Sequence, residues 1–176
     1  AIKKELGELP IIAENLGVIT EAVEEIRYEH KLPGMKVLQF AWGSEKSPLR
    51  PSDDKTFIPH YIDDKQVVYT GTHDNPTTQQ WWDEFATKEE KELLISYLAT
   101  EAQDVVGELI RCAFQSRAEL AIIPMQDFLR LGGDARMNYP GKASGNWSWR
   151  LQKKDCTSKL ARQIRDQLAL FGRLQR

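Results

Sequence analysis

The sequence predicts an α/β protein built on a parallel β-sheet. Four short apolar runs have the composition of buried strands: residues 9–13, 35–40, 66–69 and 120–125. Their apolar residues are mostly continuous rather than alternating, which is typical of parallel strands covered on both faces. Segments with helical periodicity separate the first run from the second and the third from the fourth. This order predicts right-handed parallel crossovers, as in a doubly wound sheet or in part of a (β/α)8 barrel.

The first predicted helix follows Thr20, whose side chain can cap it. Glu21 and Glu24 lie in its first turns, where the positive end of the helix dipole favours negative charge. Val23 and Ile26 would form its apolar side, against the sheet.

Three more helices are predicted further along the chain. Thr87 with Glu90, and Thr100 with Gln103, have the spacing of a capping box. Apolar residues follow these two starts at helical intervals: Leu93, Leu94, Tyr97 and Leu98, then Val105, Val106, Leu109 and Ile110. A last helix near the C-terminus would bury a stripe of four residues: Leu160, Ile164, Leu168 and Phe171.

Length and composition indicate one globular domain. The chain has 176 residues, of which 41% are hydrophobic and 28% charged, whereas a complete (β/α)8 barrel takes about 250 residues. The net charge of −2 is spread along the chain, which argues against a nucleic-acid partner. Two distant cysteines, no long apolar run and no signal-like start predict a cytoplasmic protein. A plastid location is compatible if a transit peptide has been removed.

The longest predicted connection, residues 43–61, is rich in Pro, Ser, Asp and Lys and has no obvious element of its own. Connections of this length are usually functional lids or disordered segments. Both alternatives stay open for this segment.

Polar side chains stand after three of the predicted strands. Residues 14–15 (Glu-Asn), 73–75 (His-Asp-Asn) and 126–127 (Gln-Asp) follow the first, third and fourth strands. The carboxyl ends of parallel strands build the active site in barrel enzymes. The alternative for each position is a helix cap, because Asp and Asn favour strand-to-helix turns.

Glu14 and Asp74 together supply two carboxylates at one end of the predicted sheet. Aromatic residues are frequent in the surrounding segments: Trp42, Tyr69, Trp81, Trp82, Tyr139, Trp147 and Trp149. Carboxylate pairs beside aromatic platforms suit sugar chemistry, since glycosyl transfer needs an acid and negative charge near an oxocarbenium-like transition state. One of the adjacent Trp81 and Trp82 is expected to pack in the core instead.

A metal site is the competing interpretation of this cluster, with Glu14, His73 and Asp74 as ligands. The sequence has three histidines, no close His pair and no H-E-x-x-H motif. A ligand set would therefore have to be built largely from carboxylates. We expect His30, which lies among charged residues, to face solvent.

Five segments resemble the amylomaltase or disproportionating-enzyme family of 4-α-glucanotransferases. They are residues 11–20 (IIAENLGVIT), 33–41 (PGMKVLQFA), 67–75 (VVYTGTHDN), 134–138 (DARMN) and 145–150 (GNWSWR). The resemblance runs from about residue 9 to the end. Asn15, Pro76 and Tyr139 depart from the residues usual in that family.

The resemblance implies an α-amylase-related (β/α)8 barrel, of which residues 1–176 would form a single segment, the C-terminal half with strands five to eight. It implies that Glu14 is the general acid/base and Asp74 the stabiliser of the transition state. Substrate-binding residues would be His73, Trp42, Asn75, Arg136, Asn138, Asn146 and Trp147. The connection at residues 43–61 would border the glucan-binding cleft. No metal or organic cofactor is implied.

The family's nucleophile, an Asp within an Arg-x-Asp-His pattern, does not occur in this sequence. We therefore expect the 176-residue chain to be inactive alone. Its partners would be α-1,4-glucans and either the missing N-terminal half of the barrel or a second copy. The alternative function is a noncatalytic glucan-binding or regulatory remnant.

Overall fold

The computed structural model describes residues 4, 5, 7, 9–43, 55–101 and 103–174. Its sheet has three parallel strands in the order β1-β2-β3: Gly34–Val37, Gln66–Tyr69 and Leu120–Ile122. The register pairs Val37 with Tyr69, and Tyr69 with Ile122. The predicted α/β class with a parallel sheet is confirmed, whereas the assignment to half of a barrel stays a prediction.

The helices that accompany the sheet are α1 (Glu21–Glu29), α2 (Thr78–Gln80), α3 (Lys88–Leu98), α4 (Val105–Gln115), α5 (Met125–Phe128) and α6 (Ser158–Leu170). A π-helical turn, Trp81–Phe85, continues α2. Of these described helices, none combines the length and the apolar character that crossing a membrane requires.

The main core lies between the sheet and helices α3 and α4. Val68 of β2, Leu94 of α3 and Leu109 of α4 are each 0% exposed in one cluster. A second cluster joins α4 to α6, where Leu168 and Phe171 pack against Ile110. The apolar sides predicted for α4 and for the end of α6 are thus confirmed.

Two predicted strands are shorter than the apolar runs suggest, and the first is not a strand. Residues 9–13 do not pair with another strand in a β-ladder. A single backbone hydrogen bond, from Ala13 N to Pro33 O, links them to the chain just before β1. The run at 35–40 turns into a 3-10 helix at Leu38–Ala41. The run at 120–125 stops at Ile122, because Pro124 starts α5.

The prediction for the apolar side of α1 is wrong. Val23 and Ile26 are 45% and 56% exposed, whereas Arg27 is buried. The buried guanidinium of Arg27 donates to Glu24 and to Leu32 O. Thr20 precedes the helix as predicted but makes no side-chain cap hydrogen bond.

One of the two predicted capping boxes is confirmed. Thr87 and Glu90 cap α3 reciprocally. Helix α4 is capped by Asp104, whose carboxylate accepts from Gly107 N at 2.9 Å. The predicted start at Thr100 with Gln103 is therefore wrong by one turn.

The connection at 43–61 is described in part, since residues 44–54 lie outside the described residues. The part that follows forms two short 3-10 helices, Lys55–Phe57 and Pro59–Tyr61. The expectation that it has no element of its own is corrected to that extent.

Candidate active site

The three strands and the segments that follow them line one large cleft of about 1460 Å³. Met35, Tyr69 and Ile122 contribute from β1, β2 and β3. Glu14 and Asp74 also line it. The structure therefore brings together the two carboxylates that the sequence singles out.

Glu14 is exposed to the cleft, and its neighbour Asn15 attaches it to the sheet. Asn15 Oδ1 accepts from Met35 N at 2.8 Å, and Asn15 Nδ2 donates to Glu24 Oε1 at 2.9 Å. Hydrogen bonds from Arg27 lower the pKa of Glu24.

Burial raises the pKa of Tyr69, and the charge of Glu14 adds to that rise. Tyr69 and Glu14 both line the cleft.

His73 and Asp74 lie on a turn after β2, with about half of each side chain exposed. His73 Nε2 is 3.5 Å from Asp74 Oδ1. Asn75 Oδ1 accepts from both Thr72 N and Thr72 Oγ1, at 2.9 and 2.8 Å. Asn75 lines the cleft, and its acceptor oxygen is engaged in shaping this turn.

The 134–138 segment holds the Asp74 turn from the side. Arg136 Nη2 donates to Asp74 O at 2.8 Å, and Asn138 Nδ2 donates to the Asp74 carboxylate. Asn138 N also donates to His73 O at 3.1 Å. Burial lowers the pKa of Arg136, while the charges of Tyr139 and Asp74 oppose that change. Arg136 and Asn138 therefore reach the site by contacting His73 and Asp74.

Trp147 packs on His73, with ring centroids 5.0 Å apart. Its φ of 59° lies in the left-handed region that bulky residues rarely adopt. Asn146 fixes the preceding turn, accepting from Tyr139 N and donating to Lys142 O. The side chain of Asn146 is thus used within the segment, while half of Trp147 stays exposed.

The prediction that Trp42 binds substrate is contradicted by its burial. Trp42 is 1% exposed in the main core, and its ring lies 5.1 Å from that of Tyr97 on α3. Trp81 is also 1% exposed, whereas Trp82 is half-buried. One of the adjacent tryptophans packs in the core, as expected.

The polar pair after β3 is buried away from solvent. Asp127 is 1% exposed, and its carboxylate accepts from Thr70 and Thr78. Burial raises the pKa of Asp127, while these hydrogen bonds act in the opposite direction. Gln126 Nε2 donates to Ala135 O at 3.2 Å. The helix-cap alternative is wrong for this pair, because Pro124 is the N-cap of α5 and both residues lie inside that helix. Neither side chain lines the cleft.

The competing interpretation, a metal site, is not supported by any cluster of ligands among the described residues. Within residues 9–43, 55–101 and 103–174, no three His, Cys, Asp or Glu side chains gather as a set of metal ligands.

The sequence reasoning missed Phe40 and Tyr61, which line the cleft. Phe40 meets Phe57 edge-on, with centroids 5.7 Å apart. The connection that ends at residue 61 therefore borders the cleft as expected. His60 instead turns to α3, where its Nδ1 lies 3.0 Å from the Tyr97 hydroxyl. Phe40 ends an apolar run that was interpreted wholly as strand, so no sequence signal marked it.

Known proteins of one activity match the chain. A family model described as 4-alpha-glucanotransferase matches residues 1–157. The 4-alpha-glucanotransferase, chloroplastic/amyloplastic, of Solanum tuberosum is 46% identical over 178 residues, covering 99% of this chain and 30% of that protein. The 4-alpha-glucanotransferase of Thermus thermophilus is 46% identical over 158 residues, covering 85% and 30%. The chain thus spans about 30% of the length of these relatives.

Solved structures agree with this match. Amylomaltase from Streptococcus agalactiae in complex with acarbose superimposes with a TM-score of 0.87 at 31% identity, covering 99% of this chain and 34% of that one. Amylomaltase from Corynebacterium glutamicum superimposes with a TM-score of 0.59 at 16% identity, covering 96% and 29%. The second likeness concerns the fold alone.

Proposed function

The chain belongs to the 4-alpha-glucanotransferase family, and we propose that it contributes Glu14 and Asp74 to the active site of such an enzyme. The observation that carries the proposal is that both carboxylates line one cleft. Each lies in a segment that resembles the family, residues 11–20 and 67–75. The substrate would be an α-1,4-glucan, in keeping with the acarbose bound by the amylomaltase of similar structure.

In the proposed reaction, the Glu14 carboxyl protonates the glycosidic oxygen of the donor glucan. A carboxylate outside this chain attacks the anomeric carbon as that bond breaks, which leaves a glycosyl-enzyme intermediate and a free glucan fragment. Ionised Glu14 then takes the proton of an acceptor 4-hydroxyl, whose oxygen displaces the enzyme carboxylate. Two inversions at the anomeric carbon retain its configuration.

Asp74 has a different role, because its carboxylate transfers no proton and stabilises the positive charge that develops on the sugar ring. Arg136 and Asn138 support this role, since their hydrogen bonds fix the backbone and the carboxylate of Asp74. His73 and Trp147 would bind the sugar next to it. Their rings lie 5.0 Å apart and both side chains stay about half exposed. Of the two, His73 lines the cleft.

Exposed apolar surface supports a partner that completes the site. Leu120 and Ile122 on the edge strand β3 are 48% and 41% exposed, and Val23 and Ile26 on α1 are similarly exposed. Edge strands of this kind are paired or covered in stable proteins. We propose that the first half of a (β/α)8 barrel covers them and supplies the nucleophile, with residues 1–176 as the second half. A second copy of the chain is the other candidate.

The proposed location is the cytoplasm or, after removal of a transit peptide, a plastid. Cys112 and Cys156 are both free, which suits a reducing compartment. The noncatalytic alternative is not favoured, because the matched relatives are 4-alpha-glucanotransferases and both carboxylates line the cleft.

The first test is the mass of the native gene product, followed by its ability to disproportionate maltotriose. We expect transfer activity from the native product if it carries a barrel's first half, and none from the isolated 176-residue chain. Activity of the isolated chain would contradict the proposed partner. A native product with both barrel halves and no transfer activity would contradict the proposed function.

Glu14→Gln tests the role of the acid/base in that product. The amide keeps the size of the side chain but cannot donate and recover a proton, so we expect kcat to fall about 10²–10⁴-fold. Glu25→Gln, which changes an exposed carboxylate on α1, is the matched control and should keep kcat. Equal rates for the two variants would remove Glu14 from the chemistry.

A further inference from the structure

The segment that carries His73 and Asp74 is buried at both ends and exposed in the middle. Thr70 and Thr78 are each 0% exposed, whereas the side chains of His73 and Asp74 are 51% and 47% exposed. The segment is thus a surface loop whose two ends enter the protein interior side by side.

One carboxylate joins these two ends. Asp127 Oδ2 accepts from Thr70 Oγ1 and, at 2.7 Å, from Thr78 Oγ1. Asp127 Oδ1 accepts from Thr78 N at 2.8 Å. Hydrogen bonds to an ionised acceptor are stronger than neutral ones, and burial excludes the water that would compete for them. Asp127 therefore fixes the separation of the loop ends.

Gln39, which follows β1, also holds the loop through hydrogen bonds. Its Nε2 donates to Pro76 O at 3.1 Å and to Thr78 Oγ1 at 3.4 Å. Gly71 lies so close that a Cβ there would be 2.5 Å from Gln39 Nε2. The loop is held tightly at its base before its exposed part begins.

Stability alone does not account for an ionisable group at this position. Taking a carboxylate out of water costs free energy, and apolar residues of similar volume often serve stability as well or better. A fixed loop geometry does account for it, because a displacement of about 1 Å in a reacting group can cost about 10²-fold in rate.

We propose that Asp127 is a positioning residue for the cleft, which acts by tying Thr70 to Thr78 and so fixing the loop that presents His73 and Asp74. This inference rests on the proposed function of that loop in glucan transfer. Asp127 itself would touch neither the glucan nor the reacting atoms.

The test compares Asp127→Ala with Asp104→Ala in the native gene product. Asp104 caps α4 and pairs at 2.8 Å with Arg130, which also donates to the backbone oxygen of Asp127 at 3.0 Å. Asp104 itself makes no hydrogen bond to Thr70 or Thr78. At a temperature where both variants are folded, we expect kcat for maltotriose transfer to fall about 10²-fold in Asp127→Ala, with little change in KM. Asp104→Ala should keep kcat.

Two milder variants keep the test decisive if Asp127→Ala does not fold. Asp127→Asn retains the size of the side chain, and its amide can donate to the two hydroxyls while its oxygen accepts from Thr78 N, so most of kcat should return. Thr70→Val removes the hydrogen bond at one end of the loop and should lower kcat by about tenfold. Wild-type kcat in Thr70→Val and Asp127→Ala, or equal losses in Asp104→Ala, would overturn the proposal.

Amide hydrogen exchange separates this inference from the proposed function. Asp127→Ala should speed exchange in residues 70–78 while Asp104→Ala should not. If the wild-type product transfers no glucan but this difference is seen, the proposed function fails and the loop restraint stands. If the wild-type product is active and exchange in the loop is unchanged, the positioning role fails.

Discussion

The two carboxylates of the cleft stand on segments that are held very differently. Asp74 lies on a loop fixed from below by Asp127 and from the side by Arg136 and Asn138. Glu14 is exposed and reaches the sheet through the Asn15 side chain and a backbone hydrogen bond from Ala13. Within the described chain, hydrogen bonds already fix the Asp74 side of the cleft. The Glu14 side is exposed and offers surface on which further structure can pack.

The largest effect that follows from this difference is expected for Asn138→Asp. Asn138 donates to the Asp74 carboxylate, so an aspartate there would set two carboxylates against each other. The repulsion should push Asp74 from its position and lower kcat/KM for maltotriose transfer by about 10²-fold. Steady-state kinetics of the native gene product would measure this.

Asn138→Ala is the control for that variant, because it removes the hydrogen bond without adding charge. We expect a loss of about tenfold. Equal losses in the two variants would mean that charge repulsion plays no part, and no loss in either would mean that Asp74 does not depend on the 134–138 segment.

Those contacts show what the sequence could and could not predict. His73 and Asp74 were identified because they follow a parallel strand, and both line the cleft. Glu14 also lines the cleft, although the run before it, which was predicted to be a strand, forms none. Gln39 was missed as a brace because it lies in an apolar run and was interpreted as strand. Asp127 was noticed as a polar residue after a strand, but its burial depends on Thr70 and Thr78, which are 57 and 49 residues away.

For the fold as well, features set by residues close in sequence were predicted, whereas features set by distant residues were not. The start of α3 was predicted because Thr87 and Glu90 act within one turn. The prediction for the apolar side of α1 was wrong because the helix buries Arg27, whose guanidinium finds acceptors in Glu24 and Leu32 O, rather than Val23 and Ile26. Trp42 was placed in the cleft by its neighbours in sequence, yet the packing of Tyr97 on α3 decides where its ring lies.

Asn15→Ala should produce the next largest effect, on the opposite side of the cleft. It leaves Met35 N without its acceptor and Glu24 without one donor. We expect the free energy of unfolding to fall by about 1–2 kcal/mol and transfer activity by about tenfold. Urea unfolding and kinetics of the native gene product would measure both.

The segment in which amide exchange accelerates distinguishes Asn15→Ala from Asp127→Ala. Exchange should accelerate in residues 13–17 and stay unchanged in residues 70–78. Acceleration in both segments would show that the two sides of the cleft are coupled, and the contrast between them would then be lost.

The smallest expected effect is an opposite response of the two sides to acid. The pKa of Glu24, next to Asn15, is lowered by the hydrogen bonds from Arg27, so its contribution to stability is present above the unfolded glutamate pKa and is lost as the pH falls through the folded value. The pKa of Asp127 is raised by burial. Its ionised form therefore costs stability, and that cost is relieved as the pH falls through the raised value.

As the pH falls through and below the unfolded glutamate pKa, protection against exchange in residues 13–29 should consequently fall relative to residues 66–80, after correction for intrinsic rates. Glu24→Gln removes the titrating group on the Glu14 side while keeping an oxygen for Asn15 to contact, so it should flatten the response of residues 13–29. Asp127→Asn should flatten the response of residues 66–80. The contrary outcome is that residues 13–29 and 66–80 lose protection together, both in the wild type and in Glu24→Gln. Acid would then destabilise the whole fold, and Glu24 and Asp127 would not account for a difference between the two sides of the cleft.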